Sequence, residues 1–360
     1  MFIPARRYAV ATIATFVSLW YLSSLSWNLQ PSPRGSSFRF GSQISSKPAG
    51  PPYKASLVYL TTTMPQSRPK DWIFRSLLLV QKNIPWRYQW PILLFHAGVY
   101  DSEENQFKFL DNIRNAAEEN AVTTEDVDKL IKRIEFVHYE HFLPDIDFET
   151  MDPKPVWWEG YWPAYHHMCA FFSYKIFNHP RISSLDYYFR LDDDSFIREP
   201  TCFDPFEYMH VNNKSLAYRS EDPDYGFVTI GMWQFVSKYA NTHPDVENRM
   251  LRNQWPWLPN RDSADYGSDE FIPAYGGNFE VVKVPRFQTP EVRAFLESLA
   301  SDPERFYRHR WGDAPLRKVT AYMFLDVARE VHLMCEFAYA HKVDENFANC
   351  ECKPLPRLAQ

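Results

Sequence analysis

The stretch that decides the fold is DYYFRLDDDS, residues 186–195, in which an apolar run ends on three consecutive carboxylates. Asp186–Leu191 has the length and aromatic content of a buried strand. Ligands of open α/β sheets bind at the carboxyl ends of the strands, and Mn²⁺ or Mg²⁺ prefers oxygen ligands. The pattern therefore predicts a strand that brings carboxylates to a divalent cation. A solvated acidic turn with an Asp helix cap is the alternative.

Three other apolar runs predict further strands, at Ala55–Thr61, Pro91–Phe95 and Arg133–Val137. A helical pattern that begins near Trp72 and includes Leu77–Val80 separates the first two. Short strands that alternate with helices are typical of a layered α/β fold with a mainly parallel sheet.

The amino terminus predicts a membrane anchor. Residues 1–7 carry Arg6 and Arg7, and the next charged residue after them is Arg34. A bilayer is spanned by about 20 mostly apolar residues, with the positive flank in the cytoplasm. We therefore expect a cytoplasmic tail at 1–7 and a type II anchor at 8–27, and a signal peptide cleaved after Ser26 is the alternative.

A tether and one lumenal domain are expected after the anchor. In residues 28–54, 14 of the 27 residues are Pro, Ser or Gly and none is acidic, which is typical of a disordered stem. Residues 55–360 then form the expected catalytic domain, in which no second linker is visible.

Composition excludes one class of function and indicates a compartment. The net charge is −6, so the chain lacks the basic stripe of a nucleic-acid-binding protein. Its five cysteines predict one or two disulfides and at least one unpaired thiol, as in a secretory lumen.

Four motifs resemble glycosyltransferase family 15, the fungal α-mannosyltransferases that use GDP-mannose. In chain order they are YHHMC at 165–169, YFRLDDD at 188–194, GNFE at 277–280 and YRHRWGDAP at 307–315. The resemblance implies a single-domain GT-A fold and a retaining transfer of mannose to N- or O-linked glycans at the Golgi membrane.

The resemblance also implies roles for individual residues. Tyr165, Arg190 and Asp194 would bind the donor, and Asp192 with His341 would hold Mn²⁺ or another divalent cation. Glu280 would face the anomeric carbon, where a carboxylate can stabilise or attack an oxocarbenium-like centre. The expected role of Asp313 is to bind the acceptor or to position the reacting groups.

Several alternatives stay open. His332 is the rival metal ligand, although its alternating Glu330–Leu333 context indicates a strand. The triplet at 192–194 replaces the family's Glu-Pro-Asp, and threonines at 61–63 stand where the family tends to have an arginine. A metal-dependent GT-A transferase with another nucleotide-sugar, or a non-catalytic lumenal glycan-binding protein, is therefore an alternative function.

Overall fold

A seven-stranded mixed sheet forms the centre of the molecule, in the strand order β3-β2-β1-β4-β7-β6-β8. β1 pairs in parallel with β2 and β4, β2 with β3, and β6 with β8. Only β7 runs antiparallel to its neighbours β4 and β6. The seven strands are β1 (Ala55–Thr61), β2 (Ile92–His96), β3 (Ile134–His138), β4 (Tyr187–Leu191), β6 (Leu216–Tyr218), β7 (Phe279–Lys283) and β8 (Val331–Leu333).

A second, three-stranded antiparallel sheet has the order β10-β9-β5. Its strands are β5 (Ser195–Ile197), β9 (Tyr339–His341) and β10 (Glu345–Asn346). The helices are α1 (Trp72–Asn83), α2 (Glu103–Asn115), α3 (Thr124–Arg133), α4 (Ala164–Ser173), α5 (Pro180–Ser183), α6 (Pro205–Val211), α7 (Met232–Thr242), α8 (Pro244–Arg252), α9 (Val284–Phe287), α10 (Pro290–Ala300), α11 (Glu304–Tyr307), α12 (Asp313–Phe324) and α13 (Val327–Glu330).

This computed structural model describes residues 50–61, 72–140, 162–256, 272–342, 345–346 and 349–351. The predicted tail and anchor, and the predicted stem as far as residue 49, lie outside those ranges. Within them, no helix is both long and apolar enough to cross a membrane. Residues from Gly50 onward form one compact unit.

The core lies on both faces of the main sheet. Successive residues of β1 alternate between the two, because Leu57 and Tyr59 join one buried cluster while Val58 joins the other. A strand covered on both faces has a continuous apolar sequence. This is why the strands could be predicted although apolar and polar residues do not alternate along them. The four predicted strands are confirmed as β1 to β4 with ends that differ by at most one residue, and the predicted helix is confirmed as α1.

The cysteines follow the expected pattern. Cys335 forms a disulfide with Cys350, across a Cα–Cα distance of 5.2 Å, and Cys202 is also disulfide-bonded. Cys169 on α4 is a free thiol in the core.

Candidate active site

A cavity of about 260 Å³ opens where β4 ends. Several of the residues singled out in the sequence meet there although they are distant in the chain. The residues that line it are Leu60, Ala164, Tyr165, Met168, Phe172, Arg190, Asp192, Asp193, Gly277, Asn278, Asp313, Ala314, His341 and Lys342.

The acid triplet forms the turn between the main sheet and the small sheet. The backbone N–H of Asp192 donates to the carbonyl of Asn278 at 3.2 Å, and that of Ser195 donates back to the carbonyl of Asp192 at 3.1 Å. Asp194 is fully buried, which argues against a solvated acidic turn. Burial raises the pKa of Asp192, and the nearby guanidinium of Arg190 opposes that shift.

His341 reaches this turn through the small sheet. In the antiparallel pairing of β5 with β9, His341 lies opposite Ser195, directly after the triplet. Its Nε2 is 3.3 Å from Oδ1 of Asp194. The rival His332 lies on β8, as its alternating sequence indicates, with Nδ1 3.3 Å from the hydroxyl of Tyr208.

Arg190 links two carboxylates of the cavity, and we call Arg190, Asp192 and Asp313 the cavity cluster. The Nε–H of Arg190 donates to Asp192 at 3.0 Å, and its Nη1 donates to Asp313. The guanidinium carbon lies 3.5 Å from the centroid of the Phe172 ring. Burial alone would lower the pKa of Arg190, but the carboxylates of Asp192, Asp313 and Glu280 together outweigh burial and raise the pKa. Arg190 therefore stays charged and holds both carboxylates in place.

Asp313 enters the cluster because α12 begins there. It is the first residue of the helix, after Gly312 at the N-cap, so a carboxylate at this point is also favoured by the helix dipole. The cluster needs a glycine beside it. A Cβ atom on Gly277 would lie 2.7 Å from Oδ2 of Asp313 and 3.1 Å from Nη1 of Arg190.

Tyr165 lies on α4, which presents one side to the cavity. Tyr165, Met168 and Phe172, spaced by three and four residues, line the cavity, as one face of a helix does. The adjacent His166 does not line the cavity and is fully buried, and burial lowers its pKa to about 3. The guanidinium of Arg310 lies 5.6 Å from the centroid of the Tyr165 ring.

Glu280 is placed differently from the other predicted site residues. It lies on β7, directly across from Arg190 on β4, but it does not line the cavity and is 3% exposed. Its carboxylate accepts hydrogen bonds from Nε of Arg317 at 2.9 Å and from the hydroxyl of Tyr188 at 2.8 Å. We call Glu280 and Arg317 the buried pair. The catalytic role of Glu280 stays a prediction.

The structure adds residues that the sequence did not single out. Arg317 follows Asp313 by one helical turn, and that spacing within α12 is the signal that could have linked it to the site. Met168 lies within the YHHMC motif, which gave it no role of its own. Phe172 and Lys342 carry no comparable signal, because an aromatic residue or a lysine in those contexts is equally typical of a core or a surface.

The residues present fit a divalent cation. Asp192 and His341 line the same cavity, and carboxylate and imidazole are ordinary ligands of Mn²⁺. Magnesium-type sites often use only one or two protein ligands and complete their shell with phosphate and water. Asp194, in contact with His341, is placed to orient that imidazole, as carboxylates behind metal-bound histidines do.

Comparison with known proteins identifies the family of the chain. A family model described as glycolipid 2-alpha-mannosyltransferase, glycosyltransferase family 15, matches residues 156–356, more than half of the chain. The chain belongs to this family. The match includes all seven residues predicted for the site.

Curated relatives of this chain include O-glycoside alpha-1,2-mannosyltransferase omh1 of Schizosaccharomyces pombe, which is 28% identical over 54% of this chain and 50% of the relative. Alpha-1,2 mannosyltransferase KTR1 of Saccharomyces cerevisiae is 29% identical over 54% of this chain and 47% of the relative. The chain spans about half the length of the curated relatives it matches.

Two solved structures share the fold. The mannosyltransferase Ktr4p of S. cerevisiae in complex with GDP superposes with a TM-score of 0.62 at 20% identity, over 84% of this chain and 77% of that one. Core-mannan synthase A of Aspergillus fumigatus, in its Mn/GDP form, gives 0.60 at 18% identity, over 84% and 76%. The expected GT-A type α/β fold with a mixed, mainly parallel sheet is confirmed.

Proposed function

We propose that this chain is a retaining α-mannosyltransferase that moves mannose from GDP-mannose to a hydroxyl group of a mannoside on an N- or O-linked glycan. The observation that carries the proposal is the meeting of Asp192, Asp313, His341 and Tyr165 in one cavity at the carboxyl end of β4. Membership of family 15 supports the same activity, as do the names of its relatives.

Donor binding is assigned to one side of the cavity. Asp192 and His341 would hold Mn²⁺, which when bound would offset the negative charge of the leaving diphosphate. Asp194 would orient His341, and Tyr165 would pack against the donor. Arg190 is expected to act mainly as a positioning residue, because its contacts are to Asp192 and Asp313.

Catalysis is assigned mainly to the carboxylate that faces the cavity. Asp313 lines the cavity and would bind or orient the acceptor hydroxyl. Glu280, which the family resemblance places at the sugar centre, lies behind the cavity and is paired with Arg317, so it is expected to contribute less to the transfer step unless that pair opens toward the sugar.

A donor panel tests the proposal. The full chain in detergent, with Mn²⁺ and α-methyl mannoside, should transfer mannose from GDP-mannose and lose activity when the metal is chelated. Transfer from a UDP-sugar and none from GDP-mannose would establish the alternative donor, in line with Thr61 at the end of β1. Glycan binding without any transfer would establish the non-catalytic alternative.

We also propose that the protein is a single-pass type II protein of the Golgi membrane, with residues 8–27 as its anchor and 28–54 as a stem. The disulfides support an oxidising lumen for the catalytic domain. Sequencing the amino terminus of the mature protein tests the anchor, since a chain that begins after Ser26 would identify a cleaved signal peptide instead.

A further inference from the structure

The cationic side chains around the cavity differ in whether they contact an acidic side chain. Of its cationic side chains, Arg190 is 2% exposed and bonds to Asp192 and Asp313, so its charge is offset within the cavity cluster. His341 contacts Asp194. Lys342 lines the same cavity and is exposed, and it has no ion pair within the described part of the chain.

The backbone of Lys342 is fixed to the acid triplet. Its N–H donates to the carbonyl of Asp194 at 2.8 Å, while the imidazole of the preceding His341 contacts the carboxylate of the same aspartate. Lys342 has a φ of 57°, a left-handed conformation that lysine rarely adopts. Residues held in such conformations cluster at ligand sites, where the surrounding structure maintains them.

The end of β1 supplies no charge to the cavity. Thr61 is 7% exposed, and its hydroxyl donates to the carbonyl of Phe95 at 3.1 Å. A nucleoside diphosphate brings more negative charge than one divalent cation offsets. A lysine ammonium is a compact point charge suited to phosphate.

From these observations we propose that Lys342 binds the terminal phosphate of the nucleoside diphosphate. The proposal rests on the proposed function. When the bond between the anomeric carbon and the phosphate oxygen breaks, its electron pair stays on that oxygen, and the Lys342 ammonium stabilises the added charge. The anomeric carbon bonds to the acceptor oxygen, whose proton passes to the departing diphosphate. Lys342 keeps its own proton throughout, because the ammonium acts as a charge and a hydrogen-bond donor.

The test compares Lys342→Gly with Lys342→Arg in the full chain, by calorimetric titration of GDP and of GMP with Mn²⁺. Glycine removes the charge and adopts positive φ readily, so the fold is not endangered. Arginine keeps the charge. Lys342→Gly should weaken GDP binding by ~10-fold or more, because it removes a charge-assisted hydrogen bond. GMP lacks the terminal phosphate, so its binding should weaken by less than ~3-fold. Lys342→Arg should remain within ~3-fold for both nucleotides.

The outcomes separate this proposal from the proposed function. Unchanged GDP affinity in Lys342→Gly, at an unchanged melting temperature, would overturn the lysine assignment while the transferase assignment stands. An equal loss for GDP and GMP would overturn its placement at the terminal phosphate. If the parent binds UDP in place of GDP, the same variants are titrated with UDP and UMP and the same result is expected. A parent that binds no nucleoside diphosphate would contradict both proposals.

Discussion

Two buried arginines on neighbouring elements hold carboxylates in contrasting ways. Arg190 of the cavity cluster bonds to Asp192 and Asp313, and both carboxylates line the cavity. Arg317 bonds to Glu280, whose other contact is the hydroxyl of Tyr188, and none of these three lines the cavity. Both guanidinium groups pack on aromatic rings, so their burial does not distinguish them.

The difference is in where the carboxylates face. A buried ion pair that is satisfied on all sides contributes to a unique fold and is costly to break. A cluster whose carboxylates border a cavity keeps acceptor capacity for a metal or a substrate hydroxyl. We infer that the cavity cluster serves ligand binding and transfer, and that the buried pair mainly holds β7 against α12 behind it.

The largest effect is expected at the proposed metal ligands. Asp192→Ala or His341→Ala should weaken Mn²⁺-dependent GDP binding by more than ~100-fold, because loss of a residue behind a ligand already costs ~10- to 100-fold. Calorimetry with and without Mn²⁺ measures it. His332→Ala is the matched control and should bind as the parent does, and an equal loss in that control would move the metal site to β8.

Asp313→Asn should separate binding from transfer. The substitution keeps the size of the side chain and removes the charge that faces the cavity. We expect turnover to fall by ~100-fold, as on removal of one electrostatic stabiliser, with GDP affinity within ~3-fold. Single-turnover transfer and calorimetry together measure the split. Turnover at the parent rate would show that Asp313 is a helix-terminus residue alone.

Glu280→Gln should lower the stability of the fold more than the rate of transfer. Removing one partner of a buried pair leaves an uncompensated charge, so the free energy of unfolding should fall by about 3 kcal/mol. Denaturant titration of the full chain measures it. The double variant Glu280→Gln/Arg317→Met should recover much of the loss.

The same variant tests the role that the family resemblance gives Glu280. Below its melting temperature, the folded variant should transfer mannose within ~10-fold of the parent rate. A loss of ~100-fold or more with normal GDP-mannose binding would mean that the buried pair opens to the sugar during the reaction, and Glu280 would then be the catalytic carboxylate.

The smallest effect is expected at Gly277. Its Cβ would overlap Asp313 and Arg190, so Gly277→Ala must displace the cavity cluster, at a cost of about 1–2 kcal/mol in unfolding free energy and a measurable loss of turnover. Gly50→Ala, where a Cβ would contact nothing within 4 Å, is the control. Equal behaviour of the two variants would show that the cavity cluster tolerates displacement.

The features that could be predicted from the sequence are those set by residues close together in the chain, and the features that were missed depend on residues far apart. The first four strands of the main sheet were predictable because burial on both faces leaves a continuous apolar run, and the acid triplet marked the end of β4. The role of Glu280 was implied by motif alone. Its pairing with Arg317 joins residues 37 apart in sequence, and neither has a neighbour in the chain that would reveal it.

His341, the last residue of β9, and Lys342, which follows it, illustrate the same limit. The histidine was predictable from a motif, although its position depends on the register of β9 against β5. Lys342 was missed because only the tertiary fold brings it to the cavity, and a lone lysine after a strand resembles any surface residue.

The most direct test of the account is to locate the metal. Crystals of the full chain grown with GDP and Mn²⁺ give an anomalous difference map in which the manganese is identified by its own signal. We expect one strong peak in the cavity, within coordination distance of Asp192 and His341 and of the diphosphate. A peak at the partly buried cluster of His96, Asp101 and His138, with none beside Asp192, would contradict this expectation.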